Sequence, residues 1–225
     1  MSVLALQSCT DNLVYTGTDI EVVLTGNTYQ AAFTESSPVS TFNSGNQILL
    51  NASGSLQIDN RILTYMDNQW KAENEFSWSD LTGKTNVTAV YPVYPDLDYV
   101  QENLYKNNSL EDILYVKDEF PAGNSIHLQF KHLFSLLTLH LEGNLQTYFQ
   151  KIEVTCPAVS SIIPKSAEIV LADNGTHTTT IAQVSPSGNY SFIVPPVGNM
   201  LIAINMVTNG KKYTTQLETK SFTGN

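Results

Sequence analysis

The sequence predicts an all-β protein built as a β-sandwich, and three observations carry that prediction. Runs of β-branched and aromatic residues recur along the chain, separated by clusters of Gly, Pro, Asn, Asp and Ser. Only 14% of the residues are charged, and the polar character comes mostly from Asn, Thr, Ser, Gln and Tyr. Such residues suit exposed sheet faces, whereas long surface helices favour Glu, Lys and Arg. Closely spaced strands with little helix are typical of a sandwich.

In the first half, strand-like runs occupy residues 19–25, 45–52, 61–65 and 87–91. The last run, Val-Thr-Ala-Val-Tyr, stops at Pro92, as expected for a strand that ends in a loop. Residues 96–116 have the only modest helical character, and Asn107-Asn108-Ser109 interrupts it. Residues 121–124, Pro-Ala-Gly-Asn, predict a turn, and we place a domain boundary there.

The segment from Ser125 to Leu141 predicts a long strand with a bend. Apolar residues occupy even positions from Ile126 to Phe130 but odd positions from Leu137 to Leu141. Because side chains alternate between the faces of a sheet, this change of parity requires a bulge or bend if one face stays buried. We therefore expect the strand to change what it packs against within residues 133–136.

Six further strand-like runs follow, in residues 148–155, 166–171, 178–184, 190–194, 200–207 and 212–217. Turn-forming residues separate them, including Asp173-Asn174-Gly175 and Asn209-Gly210. Asn209-Gly210 indicates a two-residue hairpin, because both central residues of that turn need a positive φ. The spacing extends the sandwich prediction to the second half of the chain.

Charge and cysteine content exclude several classes of protein. The formal net charge is −10 and Arg61 is the only arginine, so no basic patch is available to replace the counterions of nucleic acid. Cys9 and Cys156 are too few for a disulfide framework, and neither lies in a CxxC metal-binding spacing. No segment approaches the roughly 20 apolar residues of a membrane-spanning helix.

The sequence Leu6-Gln7-Ser8-Cys9 resembles a bacterial lipobox, which predicts that Cys9 becomes the lipidated first residue of the mature protein. Several acyl chains would hold it firmly, since each buried methylene contributes about 0.8 kcal/mol and a single chain is marginal. No Lys or Arg precedes Cys9, and the apolar stretch is shorter than that of a signal peptide. The alternatives are a start assigned too late in the gene and an ordinary buried thiol.

A series of short motifs carries a family resemblance over most of the chain. In order, they are the lipobox at Cys9, Ile20–Gly26, Trp70, Trp78–Leu81, the Val-Thr-Ala-Val-Tyr-Pro-Val-Tyr-Pro stretch that ends at Pro95, Leu110–Tyr115, Phe130-Lys131-His132, Ile193–Pro196 and Gly210–Tyr213. Each motif is weak alone, but the order is specific. The chain resembles the fimbrillin-like family of Bacteroidales surface lipoproteins, which are subunits and anchors of type V pili.

The resemblance implies two tandem transthyretin-like (Greek-key) β-sandwich domains, export as a lipoprotein and assembly by strand donation between subunits. We expect residues 1–9 to be a signal remnant, residues 10–124 to form the first domain and residues 125–225 the second. Stalk subunits of the family are cut after an arginine that follows the lipid anchor. Arg61 lies within a predicted strand, so cutting there would remove much of the first core, which favours an uncut anchor, tip or accessory subunit.

The sequence stops near the point where family members continue with a final Gly-Lys-x-Tyr strand. Either the sequence is truncated, or the second sandwich has an unpaired edge and an open apolar groove to which a partner could add a strand. In both cases the second domain is expected to lack its last strand.

The remaining polar residues do not form a predicted catalytic or metal site. His132 and His140 lie across the bend, too far apart for one metal ion, and we interpret both, with His127 and His177, as polar-face or packing residues. The acidic residues Asp96, Asp98, Glu111 and Asp112 lack a calcium-loop spacing, and we expect a solvated loop. Cys156 has no identifiable base, and we expect it to be buried.

These observations predict a non-catalytic lipoprotein of the outer membrane and cell surface that uses no cofactor or metal. Its expected partners are the outer membrane, through its lipid, and other fimbrial subunits, through strand addition that supports adhesion to host or bacterial surface glycans or proteins. Nucleic acid is not an expected partner. The alternative is a glycan-binding surface lipoprotein in which Trp70 and Trp78 are exposed and stack on sugars.

Overall fold

The computed structural model describes residues 13–15, 20–24, 42–67, 69–73, 83–121, 126–141, 149–184, 188–196, 200–208 and 211–219. The strands of the first half are β1 Leu13–Tyr15, β2 Ile20–Leu24, β3 Gln47–Gly54, β4 Ile58–Met66, β5 Gln69–Ala72, β6 Thr85–Tyr91, β7 Tyr105–Lys106, β8 Ser109–Leu110 and β9 Leu114–Phe120. Those of the second half are β10 Ile126–His132, β11 Ser135–Leu141, β12 Phe149–Ile163, β13 Glu168–Val184, β14 Gly188–Val194, β15 Met200–Thr208 and β16 Lys211–Thr219. The all-β prediction is confirmed.

The first sheet has the strand order β1-β2-β10-β9-β6-β3-β4-β5. Its pairs are antiparallel except for β2 and β10, which run parallel. Strands β10 and β9 pair only at Lys131↔Tyr115 and His132↔Leu114. The side chains of β10 and those of β3, β6 and β9 enclose a common apolar core, so the sheet folds over on itself.

The central strands β3 and β6 are buried on both faces over residues 48–50 and 89–90, which explains why apolar residues are consecutive there. Leu50 and Ala89 point into the first core, together with Trp70 and Phe130. Their neighbours Leu49 and Val90 point the other way, into a junction core that also contains residues of β12. The junction core therefore joins the first sheet to the second half of the chain.

The predicted bend in the segment from Ser125 to Leu141 is confirmed. Strand β10 ends at His132, and β11 begins at Ser135. Ile126, Leu128 and Phe130 of β10 belong to the core of the first sheet, whereas Leu137 and Leu139 of β11 belong to a separate core in the second half. The parity change in the sequence marks the point where the chain leaves one sheet for another.

The second half forms a four-stranded sheet, in the order β13-β12-β15-β16, and a two-stranded sheet of β11 and β14. The two sheets share an apolar core that includes Leu137, Phe192 and Ile204. The predicted hairpin is confirmed, because Thr208 pairs with Lys211 and leaves two residues for the connection. Burying one face against the other sheet is the arrangement of a β-sandwich.

The predicted turn at Asp173-Asn174-Gly175 is instead a bulge within β13. Pro157 of β12 pairs with Thr176 and Val159 with Leu171, so four residues of β13 lie opposite Ala158. Asn174 has a positive φ of 53°. The turn-forming residues do provide the special backbone that their chemistry indicates, but the strand continues beyond them.

The predicted helical region contains little helix. A short 3-10 turn spans Pro95–Leu97, and α1 spans Gln101–Leu104. The chain then forms the small hairpin of β7 and β8, in which Asn107 and Asn108 have φ values of 49° and 63°. Apolar residues further on, such as Leu114 and Val116, belong to β9 of the first sheet, because tertiary burial outweighs local helix propensity there.

Strand pairing places the change from one sheet to the next at residues 133–134, after β10. The turn-forming residues 121–124 predict a domain boundary before that strand, but β10 pairs with β2 and β9 of the first sheet. The division into two domains stays a prediction. It is complicated by the junction core, in which residues of both halves are buried together.

Candidate assembly surface

The two layers of the second sandwich differ in width. Within the described residues, β11 and β14 pair only with each other, whereas the opposing sheet has four strands. Neighbouring strands lie about 4.8 Å apart, so a two-stranded layer covers roughly half of a four-stranded one. Part of the apolar face of the wider sheet is therefore left without a covering strand among these residues.

The clearest exposed position on the core face of the wider sheet lies in strand β16. Residues 211–216 are all exposed, although alternate side chains of a strand point to opposite faces. Tyr213 pairs with Met206, and directly paired residues lie on the same face. Met206 packs against the buried core, on the face that carries Ile202 and Ile204. The side chain of Tyr213 therefore lies on the core face and is nevertheless 51% exposed.

This surface combines two features that can bind an extended peptide. The two-stranded sheet has backbone edges to which another strand could hydrogen-bond, and the core face of β16 offers the half-exposed ring of Tyr213 as an apolar contact. A strand beside β11 or β14 would add one more strand to the narrow layer. It would also extend the cover over the wider sheet and bury apolar surface.

Two of the motif segments meet where β10 ends, next to the junction core. Nδ1 of His132 lies 2.9 Å from Oδ2 of Asp112, and Asp112 is only 7% exposed. The backbone N–H of Leu133 donates to the carbonyl of Ile113 over 2.7 Å. The residues that carry the family resemblance thus hold the bend between β10 and β11, and this explains why Phe130-Lys131-His132 and Leu110–Tyr115 occur together.

A second polar group lies beside them. The hydroxyl of Tyr94 donates to Oε2 of Glu111 over 2.5 Å, and Nζ of Lys106 lies 2.6 Å from the other carboxylate oxygen. Burial raises the pKa of Tyr94 far above its usual value, and the hydrogen bond to Glu111 adds to the effect. Burial likewise raises the pKa of Tyr99, whose hydroxyl donates to the carbonyl of Pro92.

The expectation of a solvated acidic loop is therefore wrong for two of its four residues. Asp96 and Asp98 are exposed, but Glu111 and Asp112 make the specific contacts just described. All four acidic residues were predicted to be solvated, although the apolar residues Leu110 and Ile113, which flank Glu111 and Asp112, indicated burial. Within the described part of the chain, no group of three His, Cys, Asp or Glu residues could hold a metal ion.

The other histidines are placed separately. His127 is exposed on β10. His177 stacks on Tyr105, with ring centroids 4.0 Å apart, and its Nε2 lies 3.0 Å from the carbonyl oxygen of Asn108. His140 lies on β11, and its side chain is outside the described part.

Of the two tryptophans proposed for sugar stacking, the structure describes only Trp70. Trp70 is 2% exposed and packs edge-on against Phe42 in the first core, which excludes it as a surface stacking platform. Trp78 and Cys9 both lie outside the described residues, so stacking by Trp78 and lipidation of Cys9 stay predictions. Cys156 is buried as expected, and burial raises its pKa to about 11.

Arg61 lies inside β4, opposite Leu50 of β3. Neighbouring residues Ile58 and Leu63 are buried in the first core. Among the described residues, no helix is both long enough and apolar enough to cross a membrane.

A comparison with family models identifies the chain. The model of the family described as fimbrillin-like matches residues 10–224. The chain belongs to the fimbrillin-like family. The resemblance drawn from the motifs is thereby confirmed. A comparison with curated proteins gave no match.

A solved structure supports the fold of this fimbrillin-like chain. A candidate cell adhesion protein from Bacteroides ovatus superposes with a TM-score of 0.56 at 14% identity, covering 92% of this chain and 88% of that one. A fimbrial protein from the same species gives a TM-score of 0.46 at 16% identity and covers 92% and 48% of the two chains. A candidate cell adhesion protein from Bacteroides thetaiotaomicron gives 0.46 at 15%, covering 92% and 88%.

Proposed function

We propose that this chain is a non-catalytic fimbrial subunit of the cell surface, acting as an anchor or as an accessory (tip) subunit that supports adhesion. It holds a neighbouring subunit by accepting or donating a β-strand. The observation that carries the proposal is the exposed core face at Tyr213 in a member of the fimbrillin-like family. Because the ring lies on the face that the sandwich buries elsewhere, an added strand could pack against it.

Strand addition suits this surface physically. Backbone hydrogen bonds from an added strand supply affinity that is independent of sequence, while alternate side chains enter the apolar face and fix the register. Each apolar side chain that becomes fully buried contributes about 1.5–3 kcal/mol. Three or four such residues would contribute roughly 5–12 kcal/mol toward the cost of ordering an extended segment, which is about 1–2 kcal/mol per residue.

The position of Arg61 supports a subunit that is not cut at this residue. Cleavage after Arg61 would divide β4 and separate β1, β2 and β3 from the rest of the sheet. Leu50 on β3 and Leu63 on β4 are both buried in the first core, so its two parts would no longer be covalently joined. In an uncut subunit at the base or the tip of a fimbria, the two parts of the first core stay covalently joined.

The membrane attachment in this proposal is a lipid on Cys9. A lipidated Cys9 would hold the subunit at the outer membrane. The test is metabolic labelling with a clickable fatty acid, comparing Cys9→Ala with Cys156→Ala. We expect Cys9→Ala to lose both the label and membrane fractionation, whereas Cys156→Ala keeps both. Label retained in Cys9→Ala would reject the anchor.

Site-specific crosslinking in cells tests the strand-addition surface. A photoreactive amino acid replaces Tyr213, which lies on the core face, or Thr214, which is exposed on the opposite face of the same strand. We expect illumination to join the Tyr213 variant to a strand segment of a fimbrial subunit, identified by mass spectrometry of the crosslinked peptide. The Thr214 variant is the matched control and is expected to give little of that product.

Two outcomes would contradict the proposal. Equal crosslinking from both positions would indicate contact without burial of the core face. Absence of crosslinked fimbrial peptides, together with absence of the protein from sheared fibres and from membrane-bound fibre bases, would show that the chain is not a fimbrial subunit.

A further inference from the structure

The strands β12 and β13 are much longer than the second sandwich requires. They contain 15 and 17 residues, whereas strands in globular proteins most often have about 5–6. The near part of β12 contributes Ile152 and Val154 to the second core. The far part contributes Val159 and Ile162 to the junction core, beside Leu49 of the first sheet. One hairpin therefore enters both cores.

Backbone groups in the far part of β12 hydrogen-bond to residues of the first half. The N–H of Val159 donates to the hydroxyl of Tyr105 over 2.9 Å. The N–H of Ile162 donates to the carbonyl of Tyr99 over 2.9 Å. Both valine and isoleucine are buried, so these N–H groups would lose their partners without access to water if the contact opened.

The tip of the hairpin, residues 163–168, rests on three strands of the first sheet. Nζ of Lys165 lies 2.7 Å from Oδ1 of Asp59 on β4. The hydroxyl of Thr88 on β6 donates to the carbonyl of Lys165 over 3.1 Å. Nζ of Lys117 on β9 donates to the carbonyl of Ser166 over 3.2 Å.

A β-bulge places Asp59 next to Lys165. Leu50 of β3 pairs with Arg61 and Ala52 with Ile58, so Asp59 and Asn60 together lie opposite Asn51. Asn60 has a φ of 50°, and its N–H donates to Oδ1 of the buried Asn51 over 2.8 Å. Bulges re-aim side chains, and this one has a side-chain hydrogen bond of its own. A cleft of about 530 Å³ lies beside this contact.

The edge of β13 that faces away from β12 also contacts the first half of the chain. Nδ2 of Asn108, in the turn between β7 and β8, donates to the carbonyl of Thr178 over 2.9 Å. The same turn contacts His177, which stacks on Tyr105. The hairpin is thus fixed at its middle, at its tip and along one edge, by residues that precede their partners by 49 to 106 positions.

We infer that the β12–β13 hairpin is a brace that locks the two halves of the chain into one cooperative, rigid body. Two domains in one chain ordinarily move relative to each other unless their interface is large and apolar. Here a shared apolar core and hydrogen bonds at three places resist that motion. This rigidity is a property of the isolated chain and does not depend on a fimbrial role.

Hydrogen exchange measured by mass spectrometry on the full chain tests the brace. Peptides from β6 report the first core, and peptides from β15 report the second. If the halves open together, the slowest amides of both peptides exchange at the same rate once each is corrected for its intrinsic chemical rate, because only global unfolding exposes them. We expect equal rates in the wild type.

Variants at the contacts are expected to separate the two rates. Tyr105→Phe removes the acceptor of the Val159 N–H, and a lost buried partner should accelerate exchange in the less stable half by roughly tenfold. The double variant Thr88→Val, Lys165→Gln loosens the tip at the surface and remains informative if Tyr105→Phe folds poorly. We expect it to give a smaller divergence in the same direction.

The matched controls remove the same kinds of contact, but within a single half of the chain. Lys84→Gln breaks an exposed pair with Glu119 within the first sheet, and Thr155→Val breaks a hydroxyl contact with Thr178 within the second. Neither should separate the β6 and β15 rates. The brace is rejected if the wild-type rates already differ more than tenfold, or if both brace variants leave the two rates equal.

Discussion

The Asp112 carboxylate has a structural task, although its charge suggested a surface position. It contacts Nδ1 of His132 where the chain leaves the first sheet, and the Leu133 N–H bonds to Ile113 one residue further along each segment. A buried acidic group is costly unless it is hydrogen-bonded. The pairing therefore gives these two motif residues a structural reason to occur together.

Replacing Asp112 should destabilise the fold. We expect Asp112→Ala to lower the free energy of unfolding by about 1–3 kcal/mol, because it leaves a buried partner without its acceptor. Asp112→Asn keeps an acceptor oxygen and should cost less. Denaturant unfolding followed by tryptophan fluorescence measures both, with the exposed Asp96→Ala as the control. Equal stability of Asp112→Ala and the control would show that the contact does not hold the bend.

The Cys156 thiol should be unreactive in the folded protein. Its pKa is raised by burial from 9.0 to about 11, so the reactive thiolate is scarce at pH 8. In a Cys9→Ser background, we expect a chromogenic disulfide reagent to react with Cys156 only at the rate of unfolding. Fast reaction without denaturant would mean that the second core opens locally.

The same shift predicts a dependence of stability on pH. Between about pH 9 and 11 the unfolded chain releases the Cys156 proton while the folded chain keeps it, so folding stability falls as the pH rises through that window. Buried Tyr94 and Tyr99, whose pKa values are also raised, extend the loss to higher pH. Denaturant unfolding at pH 8 and pH 10.5 measures the difference, and Cys156→Ser should reduce it.

At the scale of the elements, β13 shows that residues typical of turns can form a bulge within a strand. Gly175 allows the bulge because a Cβ at this position would lie 2.7 Å from the Cβ of Ala172. The three extra residues break the regular edge of a 17-residue strand, and Asn108 hydrogen-bonds to that edge nearby. Both features reduce the tendency of an exposed edge to pair with another chain.

The bulge yields a double-mutant test. We expect Gly175→Ala to destabilise the protein by about 1–3 kcal/mol through the clash with Ala172. Ala172→Gly alone should cost about 0.5–1 kcal/mol, as glycine does within a strand. The double variant should be more stable than the sum of the two changes implies, since the clash is then removed. Strict additivity in thermal unfolding would contradict a direct contact.

The elements that the sequence predicted well are those specified by alternation or local turn chemistry. The bend after His132 followed from parity, and the hairpin between Thr208 and Lys211 followed from Asn-Gly. The merging of two predicted strands into β13 could not be foreseen, because a bulge and a turn use the same residues. The parallel pairing of β2 with β10 and the contact of Lys165 with Asp59 join distant parts of the chain, and local patterns do not encode such partners.

At the candidate site, the family resemblance left two alternatives, a truncated sequence or an open apolar edge in the second sandwich, and the residues alone did not decide between them. The exposure of Tyr213 could not be read from its own surroundings, since Lys-Lys-Tyr-Thr-Thr-Gln alternates like any half-buried strand. It becomes visible only when the register places Tyr213 opposite Met206. Conversely, Trp70 looked available for sugars but fills the first core.

At the scale of the whole molecule, the net charge of −10 bears on which partner the assembly surface accepts. Two copies of this chain repel each other, and this repulsion is screened over about 10 Å at 0.1 M salt. If the strand partner is another copy, raising the salt concentration should strengthen association. A partner of opposite charge would instead bind more weakly as salt is added, mainly through a slower association rate.

Sedimentation of the purified chain between 20 mM and 500 mM sodium chloride separates these cases. For partnering between copies, we expect the oligomer fraction to rise with salt, and a charged residue on the core face, as in Tyr213→Asp, to abolish that rise. Thr214→Asp adds the same charge to the opposite face and should leave it largely intact. A chain that stays monomeric throughout, but binds a separate fimbrial subunit more weakly as salt increases, would show that the surface selects a different protein.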